Sequence, residues 1–519
     1  MGEFPSGQRG QTVNLLHHCF GGPNPPSPTK KPLSIFSAAF SFKLTCISTS
    51  TRQHGKRPYR RIFIMAKTKH AHSRGHFTST LGFIMASAGA AVGLGNLWKF
   101  PYVAAKSGGG LFLLLYLVFI VVLGIPIMLT EMTLGRHTQL NAVGAYHKLN
   151  KKWTFVGAIG VLCAFIILSY YSVVGGWVTK YIFAYLQGGN FGGDTVAYYQ
   201  NFVSSPVEPV VWHLIFMAVC ALVVIGGVAK GIEKASKFML PGLFILLIVI
   251  AVRSITLDGA AEGLKFLFVP DFNAVDSFPK FANTIVQALG QVFFSLSLGL
   301  GITITYGSYL HKDSNMVKDS ATVCGLDTLC ALLSGIAILP AVFALLGPEQ
   351  LQAGPGLIFQ TLPAVFDSMP LGKLFGFLFF VLVFFAAATS AISLLEVVVS
   401  FLIDTFHWSR IKAAVSMSAL MGAIGVVASL SMGVWKDFTI GGMNFFDALG
   451  FLTDKILMPV SGFCMCLFVG YIWGIQNAAA EIQIGNTKGF RWQKLYGIII
   501  RYVAPVLIAV IFVMGFISL

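Results

Sequence analysis

Ala88-Gly89-Ala90-Ala91-Val92-Gly93-Leu94-Gly95-Asn96 interrupts an otherwise apolar stretch, residues 78–102. Three glycines fall within seven residues, and glycine makes a poor helix interior. A second interruption, Ser295-Leu296-Ser297-Leu298-Gly299-Leu300-Gly301, lies within the apolar stretch 281–309. Two readings stand at this point. Small residues permit close helix packing in a membrane, although Gly93-x-Gly95 is not the usual spacing for it. Alternatively both helices unwind at mid-membrane, where freed carbonyls ligate a cation and half-helix N-termini hold an anion. If residues 78–257 and 281–474 repeat one another, the two breaks occupy corresponding positions. That arrangement marks the binding site in inverted-repeat transporter folds.

The surrounding chain is membrane-like. Of 519 residues, 55% are hydrophobic and 11% charged, against about 25% charged in soluble domains. This excludes an ordinary soluble enzyme and a disordered chain. Eleven stretches reach the length of a membrane span: 78–102, 108–135, 154–187, 209–229, 237–257, 281–309, 321–347, 371–406, 411–433, 443–474 and 494–518. The loops after the even-numbered stretches carry the excess of Lys and Arg, for example Arg136, Lys148, Lys151 and Lys152, whereas 188–210 holds Asp194 and Glu208 without a base. The positive-inside rule then puts the N-terminus in the cytoplasm and Leu519 outside. Residues Pro348–Pro370 read as an extracellular re-entrant or cap segment.

Residues 1–76 hold twelve of the Lys and Arg residues and one acid, Glu3, and so carry most of the net charge of +16. A basic tail of this kind can indicate nucleic acid or anionic lipid. Here it reads as a disordered extension, 1–73, with no nucleic-acid partner, and Met65-Ala66-Lys67 reads as a natural start. The transporter domain is then 74–519, with 494–518 as an extra helix after the two repeats. Six cysteines, Cys163 to Cys466, lie in apolar runs and read as small buried hydrophobes. No nucleophile–base pair or metal cluster stands out, which argues against an enzyme. Thr389 and Ser390, in Ala386-Ala387-Ala388-Thr389-Ser390, add neutral oxygens that either ligate a hard cation or bond back to their own helix.

These segments resemble the neurotransmitter:sodium symporter family. Gly89 through Pro101 is similar to its first-span signature, followed by Lys106-Ser107-Gly108-Gly109-Gly110. Gly124-Ile125-Pro126 through Glu131-x-x-x-Gly135-Arg136 is similar to its second span. Tyr170-Tyr171, Phe293 to Gly299 and Phe384 to Ser390 resemble spans three, six and eight. The likeness covers about 75–519 and implies a leucine-transporter-type fold. That is an all-α membrane protein of eleven transmembrane helices, as in many bacterial members, built as a 5+5 inverted repeat with helices 1 and 6 unwound.

The resemblance implies two sodium sites. The first draws on the Ala91 carbonyl, the Asn96 side chain, Ser295 and the substrate carboxylate. Asp327 is either a further ligand there or a stand-in for chloride. The second draws on the Gly89, Val92 and Ala386 carbonyls with Thr389 and Ser390. Gly93 stands where monoamine carriers of the family have an aspartate, so the substrate is expected to bring its own carboxylate. That points to an amino acid. Its carboxylate is expected at the Gly95 amide and the Tyr171 hydroxyl, and its amine near Ala91, Phe294 and Ser297. Its side chain is expected among Ala90, Leu94, Ile167, Phe294, Leu300, Ser390 and Leu394. This apolar lining favours neutral, mostly hydrophobic amino acids.

For the gates, the resemblance implies Lys99 outside, with Gln291 and an aromatic lid of Tyr171 and Phe294. Gly450 occupies the place of the family's acid, and Asp447 is the candidate substitute. Inside, Arg74 and Asp404 match the cytoplasmic pair, with Tyr309 bracing it. Glu131 and Glu396 read as buried structural acids. The expected activity is sodium-coupled, chloride-independent amino-acid uptake across the cell (inner) membrane. An amino-acid sensor and a proton-coupled carrier on the same fold are the alternatives, and the oligomeric state is not legible.

Overall fold

The computed structural model describes residues 75–189, 191–272, 277–347, 354–486 and 489–517. The basic extension and Arg74 lie outside the described residues. Long apolar runs fold as helices because a membrane interior leaves backbone polar groups no other partner. In chain order the helices begin with α1 (Thr80–Ala91), α2 (Gly95–Lys106), α3 (Gly110–Thr138), α4 (Ala142–Leu149) and α5 (Lys151–Leu186). Next come α6 (Thr195–Ser204), α7 (Glu208–Ile225), α8 (Val228–Ile255), α9 (Ala260–Phe268), α10 (Phe278–Ser295) and α11 (Ile302–Gly307). The remainder are α12 (Met316–Leu345), α13 (Leu357–Asp367), α14 (Gly372–Phe406), α15 (Arg410–Leu430), α16 (Phe445–Gln483) and α17 (Gln493–Phe516).

Among the described residues, nine helices are long and apolar enough to cross a membrane, or ten when α1 and α2 count as one span. That pair is bent by 52° at the first interruption. The second interruption separates α10 from α11. Residues 296–301 are non-helical there, with positive φ at Ser297 (52°), Gly299 (83°) and Gly301 (72°). The unwinding reading of both glycine-rich segments therefore holds. Close packing also operates: a Cβ on Gly299 would lie 2.8 Å from the Met458 carbonyl oxygen of α16.

The tenth stretch is followed by helix as far as Gln483, but Gly474 breaks it at φ 94° and ψ 136°, at the expected boundary. One expectation needs amendment: among the described residues the helices are joined by one hairpin, β1 (Thr439–Ile440) with β2 (Met443–Asn444), paired antiparallel. Its turn is Gly441-Gly442, both at positive φ, as two-residue hairpin turns require.

Helices α5, α7, α14 and α15 pack on one another, and α14 also packs on α8. Helix α1 lies against α8, α12 and α14, and α3 packs on both α10 and α11. The broken helices thus run beside the long continuous ones. An aromatic lattice ties α13 down. Tyr181 of α5 meets Phe359 edge-on (5.1 Å) and packs tilted on Phe380 of α14 (4.8 Å), and Tyr199 of α6 stacks on Phe359 at 5.6 Å. The Tyr181 hydroxyl donates to the Phe359 carbonyl at 2.9 Å.

Candidate functional site

A cavity of about 410 Å³ lies between the two helix breaks. Its lining includes every residue expected around the substrate, from Ala90 to Leu394, and Ser295 of the expected first sodium site. The arrangement follows from the breaks. Unwinding at Val92–Leu94 and at 296–301 turns backbone toward the cavity, while α5 and α14 supply straight walls carrying Ile167, Tyr171, Ser390 and Leu394. The Leu94 amide points to the Tyr171 hydroxyl at 3.5 Å. A Cβ at Gly93 would sit 2.8 Å from Ser390 Oγ and 3.4 Å from the Tyr171 hydroxyl. A side chain at 93 would therefore enter the space between them. At Gly95 a Cβ would lie 2.7 Å from the Phe294 ring, so that ring rests directly on glycine backbone.

Two clusters of oxygen atoms flank the cavity. In one, Ser390 Oγ lies 3.4 Å from the Gly89 carbonyl, 3.2 Å from that of Ala90 and 3.4 Å from that of Val92. Thr389 Oγ1 lies 3.2 Å from the Ala386 carbonyl and 2.9 Å from that of Phe385. The residues expected at the second sodium site are thus brought together where α1 meets α14. Every donor atom is a neutral oxygen, the kind a hard cation prefers.

The other cluster is built around Asp327, which is fully buried. Asn96 Nδ2 donates to its carboxylate at 2.8 Å and Ser295 Oγ at 2.8 and 3.0 Å, with the Tyr116 hydroxyl at 3.3 Å. Asn96 Oδ1 accepts from the Gly93 amide at 3.0 Å. The carboxylate therefore joins α12 to both breaks through neutral donors. Ala91 lines the cavity beside this cluster.

The comparisons can now be set beside this geometry. A sequence profile of the Sodium:neurotransmitter symporter family matches residues 74–190 and 202–519. This chain belongs to that family. A sodium-dependent transporter of Bacillus subtilis (strain 168), YhdH, is 39% identical over 441 residues, covering 84% of this chain and 96% of its own length. A sodium-dependent transporter of Haemophilus influenzae is 34% identical over 462 residues, 86% of this chain and 99% of its own. The crystal structure of MhsT in complex with L-phenylalanine aligns with a TM-score of 0.77 at 42% identity, over 85% of this chain and all of that one. The protein is thus a multi-pass membrane transporter of a sodium-dependent family, not an enzyme, and shares the fold of MhsT.

Of the residues expected at the gates, Asp447 stands away from the cavity. Asp447 is exposed and lies in the first turn of α16, whose cap is Asn444. Its amide donates to Asn444 Oδ1 at 2.9 Å, and Asn444 Nδ2 donates to its carboxylate at 2.8 Å. The acid that lines the cavity is Asp454, one turn beyond Gly450, within electrostatic reach of Lys99. Lys99 Nζ sits 3.7 Å above the Phe294 ring, a cation–π arrangement. Gln291 Nε2 donates to the Gly95 carbonyl at 3.2 Å. Asp454 escaped notice in the sequence, yet a carboxylate inside an apolar span is itself a functional signal.

At the opposite end Asp404 accepts from the Asn141 amide and from its Nδ2, at 3.1 and 2.6 Å. Tyr309 donates to Glu396 at 2.7 Å, where Arg410 closes a two-point ion pair at 2.6 and 2.8 Å. Glu131 accepts from the Gly299 amide at 2.8 Å and so holds the second break.

Proposed function

We propose that this chain is a symporter that couples two sodium ions to the uptake of one neutral, mostly hydrophobic amino acid. In this reading α1–α2 is the first span and α10–α11 the sixth. Eleven spans result, arranged as a 5+5 inverted repeat with an extra helix, in the cell (inner) membrane with the N-terminus cytoplasmic. The observation that carries the reading is the cavity itself. Its floor, between Ala90, Ile167, Leu300 and Leu394, is apolar and uncharged, while its flanks offer the two oxygen clusters. The L-phenylalanine bound to MhsT supports an amino acid as the ligand class.

The chemistry is that of binding. Half-helix N-termini at the breaks favour a carboxylate, and the Gly95 amide and Tyr171 hydroxyl are the groups that would receive it. A carboxylate beside Ala91, Asn96 and Ser295 adds negative charge to the first cation site. Substrate and sodium then raise each other's affinity. Asp327 supplies a fixed negative charge in the same place, so no chloride is required. With a membrane potential, each net charge moved inward contributes about 2.3 kcal/mol per 100 mV. Closure outside would engage Phe294 and Tyr171, with Lys99 and Asp454 above them. Loss of the cation held at Thr389 and Ser390 would free α1 from α14 and open the inside.

The test is uptake of labelled amino acids into proteoliposomes, with and without an inward sodium gradient. Wild type is compared with the double variant Thr389→Ala, Ser390→Ala. Sodium-driven accumulation that the double variant loses is expected. Saturable binding without accumulation would replace this reading with a sensor. Uptake driven by a pH gradient and indifferent to sodium would replace the coupling ion.

A further inference from the structure

The start of α1 is held by a side chain that the sequence did not single out. Helix N-termini leave amide donors without partners. Ser79 caps one, accepting from the Gly82 amide at 3.0 Å. Just before it, the Thr78 amide donates to Glu233 Oε2 at 2.7 Å, and the Thr78 hydroxyl donates to Oε1 at 2.5 Å. The Ser79 hydroxyl lies 3.5 Å from the same oxygen. Glu233 belongs to the first turns of α8 and is almost fully buried. Helix α1 thus receives a carboxylate cap from a helix 155 positions away in the chain. Gly82 faces the carboxylate so closely that no side chain fits between them.

The remaining partner of Glu233 is Lys237, one turn on along α8, with Nζ 2.6 Å from Oε1. Its side chain is 39% exposed while that of Glu233 is 2% exposed. These partners differ in kind. The bonds to Thr78 and Ser79 cross between helices and break if α1 moves away. The bond to Lys237 stays within α8 and survives that movement. A charge-assisted bond is stronger than a neutral one, and an ion stranded without partners costs much more. Lys237 prevents such stranding, because Glu233 keeps a counter-charge next to water when α1 leaves. The contact is therefore strong when made and cheap to release.

We propose that Glu233 is the reversible latch that docks the start of α1 on α8, and that its release is a required step in opening the cavity to the cytoplasm. This rests on the symport reading proposed above, in which the cavity closes outside and opens inside. Glu233 touches neither cavity nor oxygen clusters and acts as a positioning residue. Phe77 and His311 hold the same segment from another side, through the Phe77 amide to the Tyr309 carbonyl (3.4 Å) and His311 Nε2 at the Phe77 carbonyl (3.0 Å). Residues 76–79 therefore stay near the bundle when the latch alone is lost, and the variant is expected to fold.

The experiment is hydrogen–deuterium exchange of the full chain in nanodiscs, in sodium, read over residues 77–91 and over α5 as control. The variants are Glu233→Gln, the pair Thr78→Val with Ser79→Ala, and all three changes together. Glu233→Gln is expected to speed exchange of 77–91 by about tenfold or more, with α5 unchanged, and to raise the sodium half-saturation of substrate binding several-fold. The Thr78/Ser79 pair should do the same, and the triple variant should add nothing further, because both act on one contact. Wild-type exchange in Glu233→Gln would overturn the latch, as would equal acceleration in α5, which assigns Glu233 to general stability. The exchange readout needs no transport. A wild type that accumulates no amino acid therefore refutes the proposed function, while the latch is decided separately.

Discussion

Replacing Asp327 by asparagine keeps its shape and removes its charge. The carboxylate is fully buried, and the side chains bonded to it are the neutral donors Asn96, Ser295 and Tyr116. Ser295 Oγ lies 2.8 Å from Asp327 Oδ2. A hard cation on that same Oγ adds about 2.4 Å, so cation and carboxylate are at most about 5 Å apart. At an effective dielectric of about 20, unit charges at that distance attract by about 3 kcal/mol. Water entering from the cavity reduces this. The expected loss in sodium affinity for Asp327→Asn is therefore tenfold to a hundredfold, at about 1.4 kcal/mol per decade. The assay is substrate binding to purified protein as a function of sodium, run in chloride and in gluconate. Asp327→Ser leaves room for an anion, and chloride should restore part of its sodium affinity while gluconate does not. Wild type should be indifferent to the anion. Sodium half-saturation within twofold of wild type for Asp327→Asn in both salts, with substrate binding intact, would refute the charge argument.

Two further outcomes follow from packing and from a buried ion pair. Gly95→Ala drives a methyl group to within 2.7 Å of the Phe294 ring and should lower uptake tenfold or more at near-normal thermal stability, as measured by initial rates and melting. Glu481→Ala strands the fully buried Arg136, whose Nε pairs with Glu481 at 2.9 Å. Breaking such a pair costs about 3–5 kcal/mol. Because Arg136 keeps the Ser314 carbonyl at 2.8 Å, the lower end is expected. A detergent melting curve should fall by several degrees, and much less for Glu481→Gln.

The two breaks were legible because glycine and serine clusters disrupt helices by an intrinsic property of the backbone. From them and the motifs around Tyr171, Phe294 and Ser390 the cavity lining followed, and all of those side chains meet there. What was not legible depends on partners distant in sequence. Asp447 and Asp454 both carry a charge near Gly450, and local spacing does not say that one is bonded to the capping Asn444 while the other enters the cavity. The Gly441-Gly442 hairpin was hidden because the residues around it are apolar enough to read as the start of a span. Nothing local marks Glu233, since its bonds to Thr78 exist only once α1 and α8 pack.

The aromatic lattice around Phe359 has a mechanical meaning. Gly354 and Pro355, which precede α13, form part of the cavity wall, and α13 is fastened by interlocked rings to α5, α6 and α14. Edge-on and stacked rings tolerate little sliding before contact is lost. The wall at Pro355 is therefore an anvil rather than a jaw. Narrowing of the entrance must come from the pieces that face it, the broken helices, and their displacement can be measured from that fixed side.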